Sequence, residues 1–164
     1  NCGEGSMDKK KNVRKNLTFV SKKMGVKRNN LILMYQTHSN KVIEVKKNKL
    51  KRKIMADAII TRDKNIALGV VTADCVPVLL CDAKNEIVGC IHAGWKGALK
   101  GIIKNTVSKI RKNNKHEKIF ACIGPCIGSK NYEVGLEFYR RFISKSNKNR
   151  LYFSFKNKKK NYLI

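Results

Sequence analysis

Apolar residues recur with two different periods along the chain, and each period predicts one kind of element. Steps of three and four residues predict helices. The first helix is expected to end at Gly25, a second to begin after Lys96 and a third to cover about 134–144. In the first helix the residues at helical spacing are Val13, Leu17, Val20 and Met24. In the second, one apolar face contains Leu99, Ile102, Ile103, Thr106, Val107 and Ile110. In the third, the residues expected to face inward are Leu136, Tyr139, Phe142 and Ile143.

Short apolar runs bounded by polar turns predict strands between these helices. They cover residues 31–35, 41–45, 56–61, 66–72, 76–80, 87–91 and 119–123. Strands that alternate with helices favour an α/β fold, a layered sandwich of a mixed β-sheet and helices. The length of 164 residues suits a single domain over 1–164. Because Asn1 begins in a polar loop and Tyr162–Ile164 is a strand-like run, we expect this domain to be truncated at both ends.

The charge is strongly positive, yet it does not concentrate in the middle of the chain. There are 37 Lys and Arg against 11 Asp and Glu, a formal net charge of +26, which first suggests a polyanionic partner. Lys outnumbers Arg by 29 to 8, whereas base recognition favours Arg. Residues 54–95 carry three basic and five acidic side chains. We therefore predict no specific nucleic-acid partner, and a non-enzymatic polyanion-binding module is kept as an alternative.

Hydropathy and the number and spacing of the cysteines indicate the cellular compartment. The longest apolar run, Ile66–Cys81, is interrupted by Thr72 and Asp74 and is shorter than the ~20 residues that a membrane span needs. The six cysteines show no pairing pattern, which favours a reducing compartment. We predict a cytoplasmic protein without a membrane segment, present as a monomer or a homodimer.

Three residues at predicted strand ends and turns are candidates for chemistry. His38 lies in a polar turn, Cys75 lies at a break between two strands, and His92 follows an apolar strand ahead of glycines. Two His and one Cys make a three-ligand zinc set that leaves a fourth position for water. Asp74 is a candidate for orienting a ligand. The remaining histidine, His116, stands in a Lys/Asn loop and is predicted to be a surface residue.

Spacing alone leaves the role of these residues open. The three candidates are 37 and 17 residues apart, which is not a compact metal motif. A nucleophilic pair of Cys75 and His92 would use the same residues. A small buried thiol beside two structurally hydrogen-bonded histidines is a third possibility.

Five ordered motifs resemble one known family. The resemblance spans about 100 residues, and the chain is identified on it as a member of the laccase-domain or "polyphenol oxidase" family, whose members are described as purine nucleoside phosphorylases. In the first motif Ser39 replaces the usual Gly. The motifs are Gln36–Val42, Ala56–Thr61, Thr72–Val78, His92–Gly97, and Ile123–Gly128 with Tyr132–Gly135; the N-terminal Asn1–Ser6 resembles a further loop of the family.

The resemblance implies a three-layer α/β fold and a catalytic zinc site formed by His38, Cys75 and His92. Asp74, Trp95 and Cys126 lie in these motifs and are the candidate substrate-binding residues. The implied reaction is phosphorolysis of adenosine, inosine, guanosine and methylthioadenosine to the free base and ribose 1-phosphate, together with adenosine deamination. An Arg-bearing segment before residue 1 and a segment after residue 164 are expected to complete the family domain.

Two other enzymatic activities remain as alternatives to phosphorolysis. Some relatives are associated with peptidoglycan-precursor editing, which is a hydrolase activity. Copper-dependent polyphenol oxidation is disfavoured, because a blue-copper centre with an oxygen-reducing cluster needs on the order of ten His ligands. This chain contains three His. Copper is therefore kept only as an alternative to zinc.

Overall fold

The computed structural model describes residues 1–49, 53–84, 86–112, 118–157 and 161–163. The chain forms two compact units, Asn1–Pro125 and Cys126–Ile164. A single domain over 1–164 therefore stays a prediction. In the ranges that are described, no helix is long and apolar enough to cross a membrane.

The first unit is built on a five-stranded mixed sheet, which confirms the predicted α/β class. Its strand order is β2-β3-β6-β5-β7; β2 and β3 are parallel and all the other neighbours are antiparallel. A separate parallel pair joins β1 to β4. The strands of this unit are β1 (Leu31–Leu33), β2 (Val42–Val45), β3 (Ala58–Thr61), β4 (Ala67–Gly69), β5 (Val76–Asp82), β6 (Val88–Ala93) and β7 (Ile119–Ile123).

Apolar layers cover both faces of this sheet. The helices of the first unit are α1 (Lys10–Lys23), α2 (Trp95–Leu99) and α3 (Ile102–Arg111). Helix α3 buries Ile102 and Ile110 in one cluster with residues of β3, β5 and β6. On the other face, Ile59 and Cys90 pack with residues around β1 and β4, among them Met34. Helix α1 packs outside that layer against β1 and β4. The predicted layered arrangement follows from these two hydrophobic faces.

One prediction about local structure is wrong. The helix expected from Lys96 onward is two helices, because Gly101 takes a left-handed conformation (φ 81°) between α2 and α3. Within α3, Ile103 is 45 % exposed and does not belong to the buried face formed by Ile102, Thr106 and Ile110. The strands predicted at 31–35 and 41–45 are present as β1 and β2, and they pair with β4 and β3 respectively.

The second unit combines one helix with a small antiparallel sheet. Helix α4 (Leu136–Ile143) lies within the predicted range, and β8 (Glu133–Val134), β9 (Ser154–Asn157) and β10 (Asn161–Leu163) pair in the order β8-β10-β9. The predicted inward residues of α4 are half-buried. Tyr139 stacks on Tyr162 with ring centroids 4.3 Å apart. The unit is therefore held by aromatic packing.

Candidate metal centre

Four strand ends meet at one edge of the five-stranded sheet. Val42 pairs with Ala58 at the starts of β2 and β3, and Ala58 pairs with Ile91 near the end of β6. Pro77, near the start of β5, pairs with His92. Loops that precede β2, β3 and β5 therefore gather around the last residues of β6, although they are far apart in sequence. We call this side of the sheet the cluster edge.

The cluster edge brings His38, Cys75 and His92 together. One ring nitrogen of each histidine and the Cys75 Sγ all lie within 4.8 Å of one another. The Sγ lies 4.0 Å from Nε2 of His38, and the two rings meet edge to face with centroids 4.8 Å apart. His92 is buried, Cys75 is half-buried and His38 is exposed. The cluster therefore opens to solvent on the His38 side.

His92 is held by Asp57, a residue that directly precedes β3. Nδ1 of His92 lies 2.8 Å from Oδ1 of Asp57, and its backbone N–H donates to the Asp57 carbonyl at 2.7 Å. A histidine whose Nδ1 is occupied in this way offers Nε2 to a ligand. In the structure, β6 extends to Ala93, so His92 belongs to the strand instead of following it.

The loop that carries His38 is tied to its neighbours on both sides. The Gln36 side chain makes two hydrogen bonds to the backbone of Val71, at 2.7 and 3.0 Å. The Asn40 side chain donates to the carbonyl of Lys100 at 3.0 Å. His38 itself has φ 56°, a left-handed conformation that is uncommon outside glycine. Its position is therefore set by the surrounding structure.

Two glycines of the His92–Gly97 motif allow close packing around the cluster. A Cβ on Gly94 would lie 2.7 Å from Cδ2 of His38 and 3.2 Å from Sγ of Cys75. A Cβ on Gly97 would lie 2.7 Å from the backbone oxygen of Ser39. Neither position has room for a side chain.

The pKa values of the two ionisable groups beside the histidines, Asp57 and Cys75, are shifted in opposite directions. Burial alone would raise the pKa of Asp57, but hydrogen bonds from Ser39, His92 and Thr37 outweigh it and lower this pKa to about 2. Burial, with the negative charges of Asp74 and Asp57, raises the pKa of the Cys75 thiol. Nucleophilic thiols generally have a lowered pKa. The raised pKa of the Cys75 thiol thus differs from the lowered pKa expected of an activated nucleophile.

The other predicted site residues have different surroundings. Asp74 is exposed beside Cys75, and Trp95 is half-buried at the start of α2, with Nζ of Lys96 5.4 Å from its ring centroid. Cys126 is exposed in the second unit. Their substrate-binding roles stay predictions. His116, predicted to be on the surface, lies outside the described residues.

Sequence reasoning did not single out Asp57 or Gly94 as part of the site. Asp57 is fully buried inside the apolar stretch Ala56–Ile60. Because a buried carboxylate must be paired or hydrogen-bonded, its place in such a run was a usable signal.

The residues present fit a metal ion. Two imidazoles and one thiol are the donor types that zinc takes in proteins, and Asp57 fixes one imidazole from behind. The family described as multi-copper polyphenol oxidoreductase laccase matches residues 1–164. The chain belongs to this family.

Relatives in the laccase family include proteins named purine nucleoside phosphorylase. One from Rickettsia conorii is 37 % identical over 138 residues, which are 84 % of this chain and 57 % of the relative. Another, from Bacteroides thetaiotaomicron, is 35 % identical over 152 residues, 87 % of this chain and 56 % of the relative. The chain therefore spans a little over half the length of these relatives.

Solved structures share the laccase-family fold. A Neisseria meningitidis protein superposes with a TM-score of 0.88 at 29 % identity, covering 100 % of this chain and 65 % of the other. A Bacillus licheniformis protein described as hypothetical superposes with a TM-score of 0.86 at 25 % identity, again over 100 % and 65 %. The predicted family and fold are confirmed.

Proposed function

We propose that the protein is a zinc-dependent purine nucleoside phosphorylase. Its substrates are adenosine, inosine, guanosine and methylthioadenosine, each converted to the free base and ribose 1-phosphate, and it also deaminates adenosine. The observation that carries the proposal is the convergence of His38, Cys75 and His92 on one sheet edge. The names of the relatives from Rickettsia conorii and Bacteroides thetaiotaomicron supply the reaction class.

Zinc is the metal that we assign to this donor set. His38, Cys75 and His92 would hold it, which leaves a further coordination position for water or substrate. When bound, zinc supplies Lewis-acid activation at neutral pH. Copper also accepts imidazole and thiolate ligands and is the alternative that metal analysis must separate.

The side chains around the cluster suit a nucleoside. In phosphorolysis, a phosphate oxygen bonds to ribose C1′ while the bond from C1′ to the base nitrogen breaks, and the base leaves with a proton. In deamination, water adds to the purine C6 and ammonia leaves. We assign the Trp95 ring to stacking on the purine and the exposed Asp74 carboxylate to hydrogen bonding with the nucleoside. Cys126 is carried over as a substrate-binding residue from the family resemblance alone.

Metal content tests the first half of the proposal. We expect about one zinc per chain in purified protein and a near-complete loss in Cys75→Ala, because two remaining ligands hold zinc weakly. Cys81→Ala is the matched control, since Cys81 is another half-buried cysteine and lies on β5, six residues after Cys75 and near the other end of the strand. Copper instead of zinc, or no metal in the unchanged protein, would contradict the assignment.

Product analysis tests the second half. The protein expressed from its complete reading frame is incubated with adenosine and phosphate, and ribose 1-phosphate, adenine and inosine are measured. We expect all three, and we expect Cys75→Ala to abolish them. Cleavage of a serine-containing muramyl-peptide precursor without any phosphorolysis would favour the peptidoglycan-editing alternative.

A further inference from the structure

Asp57 contacts both halves of the cluster edge through a single carboxylate group. It is fully buried, and it accepts the hydrogen bond from Nδ1 of His92 at 2.8 Å. It also accepts from the consecutive backbone N–H groups of Thr37, His38 and Ser39, at 3.1, 2.9 and 2.7 Å. The hydroxyls of Thr37 and Ser39 complete the set, at 3.2 and 2.6 Å. We propose that Asp57 is the positioning residue that sets both histidines of the metal centre.

The first consequence concerns His92. Among the described residues, the other hydrogen-bond partners of the Asp57 carboxylate are donors, namely three backbone N–H groups and two hydroxyls. A carboxylate in such a setting acts as an acceptor, so Nδ1 of His92 carries the hydrogen that lies between them. Nε2 then presents its lone pair to the cluster, which is the form that a metal ligand requires.

The second consequence concerns His38. Three consecutive N–H groups can converge on one carboxylate only if the backbone turns sharply, and His38 at φ 56° makes that turn. A left-handed conformation is unfavourable for a non-glycine residue and persists where surrounding contacts hold it. The hydrogen bonds to Asp57 are those contacts, and they aim the His38 ring at Cys75.

A purely structural role would predict a different outcome, and the chain contains a residue that separates the two. Asp82 is also fully buried, and it accepts from the backbone N–H groups of Glu86 and Ile87 at 2.8 and 3.1 Å. It ends β5, about 20 Å along that strand from the cluster edge at ~3.3 Å per residue. Asp82→Asn therefore perturbs a buried carboxylate without touching the histidines.

The test compares zinc affinity and folding stability in Asp57→Asn and Asp82→Asn, by chelator competition and thermal unfolding. An Asn at 57 keeps one acceptor but places its NH₂ group against donors, so the loop and His92 lose their common anchor. We expect zinc affinity to fall by about 10- to 100-fold in Asp57→Asn. In Asp82→Asn we expect a lower melting temperature with unchanged zinc affinity. Equal zinc loss in both variants, or unchanged affinity in Asp57→Asn, would overturn the inference.

A second measurement is independent of whether Asp57→Asn folds. In the unchanged, metal-free protein, ¹⁵N NMR of the imidazole nitrogens above pH 8 reports which nitrogen of His92 carries the hydrogen. We expect the Nδ1–H form, and a dominant Nε2–H form would refute the role of Asp57.

The inference rests on the proposed metal centre, and the two fail in distinguishable ways. If the unchanged protein binds no zinc, the metal assignment is wrong whatever the tautomer. If it binds zinc but His92 carries its hydrogen on Nε2, or Asp57→Asn binds zinc as tightly, only the role of Asp57 is wrong.

Discussion

The two ends of β5 and β6 each lie beside a fully buried carboxylate, and the two carboxylates serve different ranges of the chain. Asp82 accepts hydrogen bonds from residues four and five positions later, within the turn that joins β5 to β6. Asp57 accepts from residues 18 to 20 positions earlier and from His92, 35 positions later. The first closes a local turn, whereas the second joins three separate segments.

The difference shows how a buried carboxylate can position the side chains of a metal site in this fold. A buried carboxylate must be satisfied by donors at either place, because leaving it unpaired costs several kcal/mol. At the Asp82 end of β5, donors from Glu86 and Ile87 in the following turn help to meet that requirement. At the cluster edge the same requirement fixes the loop of His38 and the ring of His92 at once. The arrangement of the cluster edge therefore depends on the same hydrogen bonds that satisfy this buried carboxylate.

Substitutions of the glycines on β6 and directly after it are expected to give the largest difference between the cluster edge and the rest of the sheet. Gly94→Ala would place a Cβ 2.7 Å from His38 Cδ2 and 3.2 Å from Cys75 Sγ, so both side chains must shift. Gly94 has φ −67° and ψ 155°, so Ala suits its backbone. We expect zinc affinity to fall by about 100-fold, at the upper end of the effects of disturbed ligand orientation. Chelator competition measures it.

Gly89→Ala, on β6 itself, is the matched control. Its Cβ would lie 2.9 Å from Cγ2 of Ile60 and 3.3 Å from the carbonyl oxygen of Ile59, inside the core and away from the cluster. We expect overpacking to cost about 1–3 kcal/mol of unfolding free energy while zinc affinity stays unchanged. If Gly89→Ala lost zinc as strongly as Gly94→Ala, the cluster would depend on the whole sheet and not on its own edge.

The contrast also explains how far the sequence alone leads. Hydrophobic periodicity predicts the strands that frame the site, such as β3 and β6, because each buries an apolar face. The position of a polar residue at a strand end predicts His38, Cys75 and His92 as candidates. The strand order of the sheet brings these three residues together. That order does not follow the sequence order of the strands, so no local sequence pattern predicts it.

Two other features of the structure could not be predicted from local sequence patterns. The donors of Asp57 lie in distant segments, so no spacing rule connects that carboxylate to His92. Gly101 sits in an uninterrupted helical pattern, and only its left-handed φ shows that the helix breaks there. By contrast, Gly25, with φ 68° directly after α1, ends its helix as predicted, because that event is local.

Ser39 gives a smaller test of the cluster edge. Its hydroxyl donates to Asp57 at 2.6 Å, whereas the resemblance expects glycine at this position. Ser39→Ala removes this charge-assisted hydrogen bond and keeps the backbone N–H donor. We expect a loss of about 1.5–3 kcal/mol of unfolding free energy. Zinc affinity should fall less than 10-fold, because the remaining donors still anchor the carboxylate.

Denaturant unfolding and chelator competition on the same samples separate the two effects. Ser144→Ala is a suitable control, since its exposed hydroxyl donates only to a carbonyl of its own helix, that of Arg141 at 3.0 Å. A zinc loss in Ser39→Ala as large as in Asp57→Asn would mean that the hydroxyl, and not the carboxylate, orders the loop.

The smallest effect is the pH dependence that Asp57 adds to folding stability. Its pKa is lowered from 3.8 to about 2 in the folded protein, so between these values the unfolded chain binds the extra proton. The stability that Asp57 contributes is therefore complete above about pH 4 and is lost as the pH falls toward 2. For metal-free protein, we expect the unfolding free energy to drop with decreasing pH across this window by more in the unchanged protein than in Asp57→Asn. Equal slopes in urea titrations at pH 2.5, 3.5 and 5 would contradict the hydrogen-bonded carboxylate, since an Asn cannot take up that proton.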